Sequence, residues 1–600
     1  MQQTLSSTIE YLGEGGKLGL PVVRQPQIQG ADAIASTLIR KERLFLQALT
    51  GTGKSLAALS AIDATGTRAV IATATNNLVD QYVSHDLPFF SERTCLSFAK
   101  ILGRSNYACQ STWARAGRKG HIEIEDASME PSEDWFALPV SDLDIDDREL
   151  QYINKYMRCE GGKHDYGICG YQFARELIDD AQVVITSQHK LVYDLKYARA
   201  PITEGRAVII DEGDGLPAAI ASCYDEDYAE GRYRNLQNTA AKIDADEVKA
   251  HAVRQSYINW RDETTNAAEA LGIPRFGDGL DYKDVYDSSQ LVRTHQRRYA
   301  KAVQEFTKTV PEGSAGSVVG GLKQALNTLE NEDFIIKIGR DYNDPGRHIF
   351  TASLVNTGKK TYSLFKDVES LVLMSATLMP WELLEYQVGF QAQTLELDSC
   401  LPLRENRQAF RAVAHKPPRG RMDAELREEK SSQHVDYLVD VTSGICERYN
   451  GRCLVLFSSI REMTDFHSRF SDANPFYQVI NQKDFGSAGA AVERYRWHQG
   501  ENVILIGTDS LMHGIDLPGM LSAVILAKSP FPRADSVGRA RNEEYSGYLQ
   551  GLNDRRIAQA IGRLIRNESD SGIIVLVDGT WVGRNFKDIV KPSPCKDIGR

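Results

Sequence analysis

The chain has 600 residues, of which 42% are hydrophobic and 25% are charged, and its formal net charge is −11. This length predicts three or four domains. No apolar run is long enough to cross a bilayer, which excludes a membrane-spanning protein, and the nine cysteines are scattered without a signal peptide. We therefore predict a cytoplasmic protein with no disulfides and no membrane partner.

Short apolar runs alternate with helical patterns along most of the chain. Such runs are typical of buried strands in a parallel sheet that is covered by helices. A first group of predicted strands comprises residues 44–46, 69–73, 183–185, 207–210 and 371–374. A second group comprises residues 454–457, 503–506, 523–526 and 573–577. The sequence therefore predicts an α/β fold with two parallel-sheet domains, the first of which is interrupted by two insertions.

The first predicted strand leads into a glycine-rich turn, residues 48–55 (ALTGTGKS), and then into a helical pattern. A strand, a turn ending in Gly-Lys-Ser and a helix form a phosphate-binding loop. Backbone N–H groups would surround the phosphates of a nucleotide, the Lys54 ammonium would add positive charge, and the Ser55 hydroxyl would bind Mg²⁺. Ala48 stands at the first position of this loop, where the widest form of the motif has glycine, and alanine there is typical of nucleic-acid motor proteins. The predicted nucleotide-binding residues of the loop are Gly51, Thr52, Gly53, Lys54 and Ser55.

Two carboxylates, Asp211 and Glu212, follow the predicted strand 207–210. Asp211 would hold Mg²⁺, and Glu212 would orient and polarise the attacking water. Two acidic residues after a strand are by themselves a weak signal, since they also occur where a strand end is merely capped. Together with the phosphate-binding loop they indicate nucleotide hydrolysis.

Three more segments complete the pattern of a two-domain motor. Residues 371–377 form a strand that ends in Ser-Ala-Thr, a polar tip that could sense the γ-phosphate. Residues 503–519 form a strand followed by a loop rich in Gly and Asp. Gln559, Arg563 and Arg566 come last, and the two arginines are three positions apart on one predicted helical face. Arginines that reach a nucleotide from a second domain accelerate phosphoryl transfer.

In this order, the motifs resemble those of the XPD/DinG-type DNA helicases of superfamily 2, and the resemblance covers most of the chain. Further segments that match the family are residues 24–27, 73–81 with 86–88, 103–109, 454–459 and 528–532. The resemblance implies that Arg24 and Gln27 lie on the adenine side of ATP and that Asp516 belongs to the ATP site. Asp214 stands where the family usually has His, and His513 where it usually has Glu, which puts the coupling of hydrolysis to DNA in question.

The resemblance also implies an activity and its partners. We expect an ATP-dependent helicase that uses ATP and Mg²⁺, moves 5′ to 3′ on single-stranded DNA and unwinds forked duplex or an R-loop. Protein partners in DNA repair, phage replication or a CRISPR effector complex all stay open. One alternative is a DNA-stimulated ATPase that acts as an accessory remodeller or recruitment module, CRISPR-associated or phage, without robust unwinding. The other is a P-loop enzyme that acts on a small molecule.

The resemblance also implies two RecA-like motor domains and two insertions, with the following boundaries. The first motor domain is expected to comprise residues 1–108, 171–214 and 367–400, and the second residues 401–600. An iron–sulfur-type insertion is expected over residues 109–170, and a helical arch-type insertion over residues 215–366.

The family places four cysteines that bind a [4Fe–4S] cluster in the first insertion. This chain has Cys109, Cys159 and Cys169, and His164 stands about where the third ligand is expected. Three thiolates and one imidazole can hold a [4Fe–4S] cluster or a structural zinc ion, and a vestigial domain without metal is the third alternative. Cys95 lies before the family's entry segment, so it is a weaker candidate ligand than His164.

The negative net charge does not exclude a nucleic-acid partner, because the acidic residues are concentrated in residues 122–150. That run predicts a solvated insertion. Basic clusters occur in residues 115–119, 293–301 and 555–556. The second cluster includes Tyr299 and would suit a groove for single-stranded DNA, although an ordinary charged helix face gives the same pattern.

Overall fold

The computed structural model describes residues 8–49, 51–118, 122, 129, 131–159, 167–198, 201–228, 233–234, 236–272, 280–311, 317–340, 348–418, 423–485, 488–498, 501–512, 517–532, 534–579 and 586–598. Three sheets organise these residues. Their strands are, in chain order, β1 (Arg43–Ala48), β2 (Ala69–Thr73), β3 (Phe98–Lys100), β4 (Val183–Ser187), β5 (Ala207–Asp211), β6 (Glu226–Asp227), β7 (Leu280–Asp281), β8 (Phe334–Arg340), β9 (His348–Leu354), β10 (Leu371–Ser375), β11 (Gln393–Leu397), β12 (Arg407–Ala412), β13 (Cys453–Leu456), β14 (Gln478–Asn481), β15 (Val503–Gly507), β16 (Ala523–Leu526), β17 (Gly572–Val577) and β18 (Cys595–Ile598).

The first sheet has the order β11-β1-β10-β5-β2-β4-β3, and all its pairings are parallel. Its central strands are buried along their whole length, which explains why they read as continuous apolar runs. Parallel strands need crossover connections, and helices supply them. The associated helices are Gln25–Arg40, Lys54–Thr65, Asn76–Gln81, Leu87–Ser91, Gln188–Tyr197 and Trp381–Val388.

The second sheet has the order β14-β15-β13-β16-β17-β12-β18 and is also wholly parallel. Alternate residues of β13 pack into separate cores on its two faces, with Leu454 on one side and Val455 on the other. The long helix on one face buries Val435 and Leu438 at the predicted helical spacing. The helices of this region are Leu403–Asn406, Ala424–Tyr449, Ile460–Ala473, Ala488–Trp497, Asp509–Met512, Ser536–Glu544, Tyr548–Ile561 and Phe586–Ile589.

The segment between β5 and β10 combines helices with a small antiparallel sheet of order β6-β9-β8-β7. The sequence predicted a mostly helical insertion here, without this sheet. Trp260, Tyr257 and Tyr299 pack together in the core of this insertion. Tyr299 is fully buried, so it cannot stack on a base. The prediction that it contributes to a groove for single-stranded DNA was wrong. The helices are Leu216–Tyr224, Leu236–Lys242, Glu247–Leu271, Tyr282–Ser288, Gln290–Thr307, Ser317–Glu330 and Thr357–Phe365.

The segment between β3 and β4 carries the cysteines and has the helices Gln110–Arg118, Asp147–Tyr156 and Gly170–Asp180. Trp135, Phe136 and Ile153 form a buried cluster within it. The described part of the acidic run is therefore not uniformly solvated, since its apolar residues build a small core between exposed carboxylates.

One helix of the second sheet's region, Ser536–Glu544, contacts both the insertion and the first sheet's region. Asp535, its N-cap, forms an ion pair of 3.1 Å with Lys337 on β8. The Arg541 guanidinium donates to the backbone oxygen of Leu354, on β9, at 2.7 Å. Glu544 accepts a hydrogen bond of 2.7 Å from the Tyr386 hydroxyl. We call Ser536–Glu544 the bridging helix.

The predicted α/β fold with two parallel-sheet domains is confirmed. Each predicted strand is present to within one or two residues. Within the part of the chain that the structure describes, no helix has the length and apolarity needed to cross a bilayer.

Candidate functional site

The glycine-rich turn lies at the carboxyl edge of β1 and leads directly into the helix Lys54–Thr65. Gly51 and Gly53 both have positive φ, at 83° and 79°. The positive φ of Gly53 would strain any other residue, and a Cβ atom there would also displace the Gln27 amide. The Lys54 Nζ donates to the backbone oxygen of Ala48 at 3.3 Å. The ammonium thus points back over the loop, where a nucleotide's phosphates would lie.

Two residues of the segment 24–27 brace this loop. The Arg24 guanidinium donates to the backbone oxygen of Gly51 at 2.9 Å, and the Gln27 amide donates to that of Gly53 at 3.1 Å. Both side chains were predicted to lie beside ATP. The structure brings them to the phosphate-binding loop, where they hold its two glycines in position.

Asp211 ends β5 beside the loop and is buried. Burial and the neighbouring charge of Glu212 raise the pKa of Asp211 to about 6, against the opposing effect of Lys54. The Tyr82 hydroxyl donates to Oδ2 of Asp211 at 2.9 Å. The Ser55 hydroxyl interacts with Tyr82 and with Asp86, and burial raises the pKa of Asp86. A buried carboxylate with a raised pKa is suited to a bound cation, because the cation compensates its charge.

Glu212 has a φ of 51°, in the left-handed region that few non-glycine residues adopt. The Gln188 amide holds this turn by donating to the backbone oxygens of Asp211 and Glu212, each at 2.9 Å. Burial raises the pKa of Glu212, but attraction to Lys54 and Arg563 outweighs it, so the pKa lies below its usual value. Glu212 is therefore an ionised carboxylate that can accept a proton from water.

Asp214 connects three of the predicted motifs. Its Oδ1 lies 2.6 Å from the Ser375 hydroxyl, and its Oδ2 accepts from the Thr377 hydroxyl at 3.2 Å. The Gln559 amide, from the helix Tyr548–Ile561, also donates to Oδ2. The Ser375 hydroxyl lies 2.9 Å from Glu212 as well. The residue that departs from the family pattern thus joins the Glu212 carboxylate to a side chain of the second parallel-sheet domain.

The two arginines do not share a helical face as predicted. The helix Tyr548–Ile561 ends before them, because its last turn tightens into hydrogen bonds from Arg563 to Ala560 and from Leu564 to Ile561. Leu564 and Ile565 are buried in the core of the second domain, which anchors the turn. Both Arg563 and Arg566 are still close enough to Glu212 to lower its pKa. The two guanidinium groups therefore approach Glu212 as expected, but from the turn that follows the helix and not from a helical face.

Arg555 joins the two parallel-sheet domains rather than forming a basic surface. It is 4% exposed and lies on the helix Tyr548–Ile561. Its guanidinium donates to the Gln387 side chain and to the backbone oxygen of Leu378, each at 2.6 Å, and to that of Met379 at 3.1 Å. The prediction that residues 555–556 contribute a basic cluster for nucleic acid was therefore wrong for Arg555.

A cavity of about 1040 Å³ lies between the two domains. Hydroxyl and guanidinium groups, which are suited to anion binding, line this cavity together with carboxylates. The lining includes Thr75, Gln188, Glu212, Arg496, Ser510 and Arg563. Thr75 belongs to the segment 73–81. The cleft therefore brings the first domain's motifs to face the second domain's.

Some predicted site residues lie outside the described residues, namely Asp516, His513 and His164. Other residues of the site were missed by the sequence reasoning. Tyr82 and Asp86 lie within or beside segments that had been singled out, so those segments were the available signal. Gln188 carried no signal, and Arg555 had been singled out only as part of a basic cluster, since the contacts of both depend on chain segments far away.

The three candidate cysteines come together on the first insertion, beside the first sheet. Cys109, Cys159 and Cys169 are all buried, and their sulfur atoms lie within 4.8 Å of one another. Cys95 is exposed and is not part of this group. We call these three residues the cysteine cluster. Three converging thiols form a donor set for a soft metal ion or a metal–sulfur cluster.

Comparisons with known proteins agree with this geometry. Residues 442–591 match the family model described as a helicase C-terminal domain. The ATP-dependent DNA helicase YoaA of Escherichia coli (strain K12) is 26% identical, over 96% of this chain and 95% of the relative. The ATP-dependent DNA helicase DinG of Photobacterium profundum is 24% identical, over 96% of each chain.

Solved structures give the same fold. One titled XPD_Helicase has a TM-score of 0.62 at 17% identity and covers 96% of this chain and 100% of its own. The structure of S. tokodaii Xpd4 has a TM-score of 0.58 at 14% identity and again covers 96% of this chain.

Fold and site together define a P-loop motor enzyme with two RecA-like domains that face each other across a cleft. Within that class, sequence similarity to YoaA and DinG helicases over nearly the whole chain, together with the XPD-like fold, supports the resemblance to XPD/DinG-type helicases of superfamily 2. The predicted resemblance and the predicted enzyme class, an ATP-dependent helicase, are confirmed. The domain boundaries, the roles of individual site residues and the cytoplasmic location stay predictions.

Proposed function

We propose that this protein hydrolyses ATP to move 5′ to 3′ along single-stranded DNA and to separate the duplex, or the hybrid of an R-loop, ahead of it. One observation supports this most directly. The Glu212 carboxylate is connected to Asp214 through Ser375, and Asp214 accepts a hydrogen bond from Gln559 of the other domain. A group placed to activate water is thereby linked to the relative position of the two domains.

The proposed cycle begins with ATP in the cleft. Lys54 and the backbone of the glycine-rich loop would bind its phosphates, and Ser55 and Asp211 would hold Mg²⁺, which neutralises phosphate charge. The ionised Glu212 would orient the attacking water and accept its proton. Arg563 and Arg566 would stabilise the charge that develops during phosphoryl transfer. We propose Asp516 as a further ATP-site residue.

Closure and reopening of the cleft would move the DNA. When phosphate leaves, the charge that attracts Arg563 and Arg566 falls, and the contacts between domains weaken. Thr75 and Arg496 both line the cavity between the domains, and we propose that a strand lies along the hydroxyl of the first and the guanidinium of the second. Backbone phosphates would then be gripped in turn by each domain. Contacts of this kind carry no sequence information, so we expect binding that depends on salt and not on sequence.

The assay that tests this proposal compares ATPase activity with and without single-stranded DNA. Glu212→Gln should lower the DNA-stimulated rate by about 10²- to 10⁴-fold, because it removes the base, while DNA binding should persist. Glu447→Gln makes the same change at an exposed position on the helix Ala424–Tyr449 and should retain full activity. Undiminished turnover in Glu212→Gln would overturn the assignment.

Direction is tested with tailed duplexes. Unwinding of a duplex with a 5′ tail, and not of one with a 3′ tail, is the expected result. ATPase that responds to DNA without any strand separation would contradict the helicase proposal and favour an accessory remodeller. ATPase that ignores DNA would favour an enzyme acting on a small molecule.

A further inference from the structure

The cysteine cluster lies in the first insertion, outside the cleft between the two domains, and backbone hydrogen bonds hold its three residues in place. Cys109, Cys159 and Cys169 are between 1% and 3% exposed. They come from three separated parts of the chain, and the sulfurs of Cys159 and Cys169 lie 3.6 Å apart.

Backbone hydrogen bonds fix the three residues relative to one another. Cys109 and Cys169 face each other in an antiparallel bridge. The Cys109 N–H donates to Met157 at 2.9 Å, and the Cys159 N–H donates to Tyr107 at 3.0 Å. Cys109 and Cys169 also directly precede the helices Gln110–Arg118 and Gly170–Asp180.

The distances between the sulfurs discriminate between the metal groups. Thiolates that share one tetrahedral zinc ion have Zn–S bonds of about 2.3 Å, which places the sulfurs about 3.8 Å apart. The Cys159–Cys169 separation of 3.6 Å is close to that value, and all three sulfurs lie within 4.8 Å of one another. In a [4Fe–4S] cluster each thiolate binds its own iron on the outside of the core, so the sulfurs lie much further apart.

We propose that the cysteine cluster holds a single tetrahedral metal ion of the zinc type. The [4Fe–4S] cluster implied by the family does not fit this spacing. The three thiolates occupy three positions of the tetrahedron. The ion crosslinks the starts of two helices to the chain that follows the helix Asp147–Tyr156, and it thereby fixes the small core around Trp135 and Ile153 to the first motor domain. Its role is structural, since binding of a structural ion contributes directly to folding.

Metal analysis of the anaerobically purified full-length chain tests the proposal. We expect about one zinc per chain, no acid-labile sulfide and no broad visible absorption. About four irons with matching sulfide would overturn the proposal, and so would a folded chain with neither metal. Cys159→Ser and Cys169→Ser should lose the zinc and lower the melting temperature. Cys95→Ser, at an exposed position, should change neither.

A second measurement does not depend on whether those variants fold. Wild-type protein from which zinc has been removed and replaced by Co²⁺ should show the intense visible bands of a tetrahedral thiolate site. Weak octahedral bands would contradict the proposal. The DNA-stimulated ATPase of the same preparations is measured separately, so an error in the metal assignment is distinguishable from an error in the proposed helicase activity.

Discussion

The contact between Asp214 and Gln559 should couple the two domains energetically. Asp214→Ala removes the acceptor for Gln559, Ser375 and Thr377 at once, whereas Gln559→Ala removes only the donor from the second domain. A hydrogen bond to a charged group is worth about 1.5–3 kcal/mol, which corresponds to about 10- to 150-fold in an equilibrium constant. We therefore expect Gln559→Ala to lower the kcat/KM for ATP by that factor.

A double-mutant cycle isolates this contact. DNA-stimulated ATPase would be measured for the wild type, Asp214→Ala, Gln559→Ala and the double variant, and kcat/KM converted to free energies. If the hydrogen bond acts in closure, the double variant should be no worse than Asp214→Ala, with a coupling energy of about 1.5–3 kcal/mol. Effects that add to within about 0.5 kcal/mol would refute the reasoning. Asp472→Ala, which removes an exposed carboxylate of the second domain, is the control.

Three other substitutions and one change of pH have expected outcomes. Arg555→Ala should lower the free energy of unfolding by about 3 kcal/mol or more, because buried acceptors of the first domain lose their donor; chemical denaturation measures it, and an unchanged midpoint would contradict it. Asp211 has its pKa raised to about 6 when no cation is bound, so protons should compete with Mg²⁺ for it, and at limiting Mg²⁺ the ATPase should fall as pH falls through 6. Tyr82→Phe removes a hydrogen bond that lowers this pKa, so the acid limb of the pH profile should move upward, and a limb that stays in place would refute the link. Gly53→Ala should abolish nucleotide binding, as measured by calorimetry, since its Cβ would collide with the Gln27 amide at a positive φ; retained affinity would show that the loop can rearrange.

The same buried carboxylate affects stability in a direction fixed by its pKa. The folded-state pKa of Asp211 lies above the ordinary value of 3.8, so the folded protein binds this proton more tightly than the unfolded chain. Its contribution to stability is most favourable below the ordinary value and is lost as pH rises to about 6. Asp211→Asn should flatten that part of the stability profile.

The central strands of both sheets were predictable, and the edge strands were not. β5 is fully buried and consists mostly of apolar residues, so its burial could be predicted from its composition. β11 is mostly exposed and β18 alternates between half-buried and exposed residues, so neither has the apolar run that marks a buried strand. The hairpin of β8 and β9 was missed for a different reason, since it lies within a segment of predominantly helical pattern.

The nucleotide-binding loop could be predicted because its residues are adjacent in the sequence. The network around Asp214 could not, since Ser375 and Gln559 are 161 and 345 positions away. Sequence showed only that an unusual residue stands at position 214, and its partners followed from the fold. Tyr299 is a different case. Its basic neighbours in the sequence suggested an exposed position, whereas its side chain is buried in the core of the insertion.

The bridging helix has a mechanical consequence for the insertion between β5 and β10. Asp535 and Arg541 attach it to β8 and β9, while Glu544 attaches it to Tyr386 beside the first sheet. If the second motor domain rotates in the proposed cycle, these contacts would pull on the insertion's sheet, and the insertion would move with the motor. Tension produced by hydrolysis would reach the tip of the insertion along these strands, without any need for DNA to transmit it.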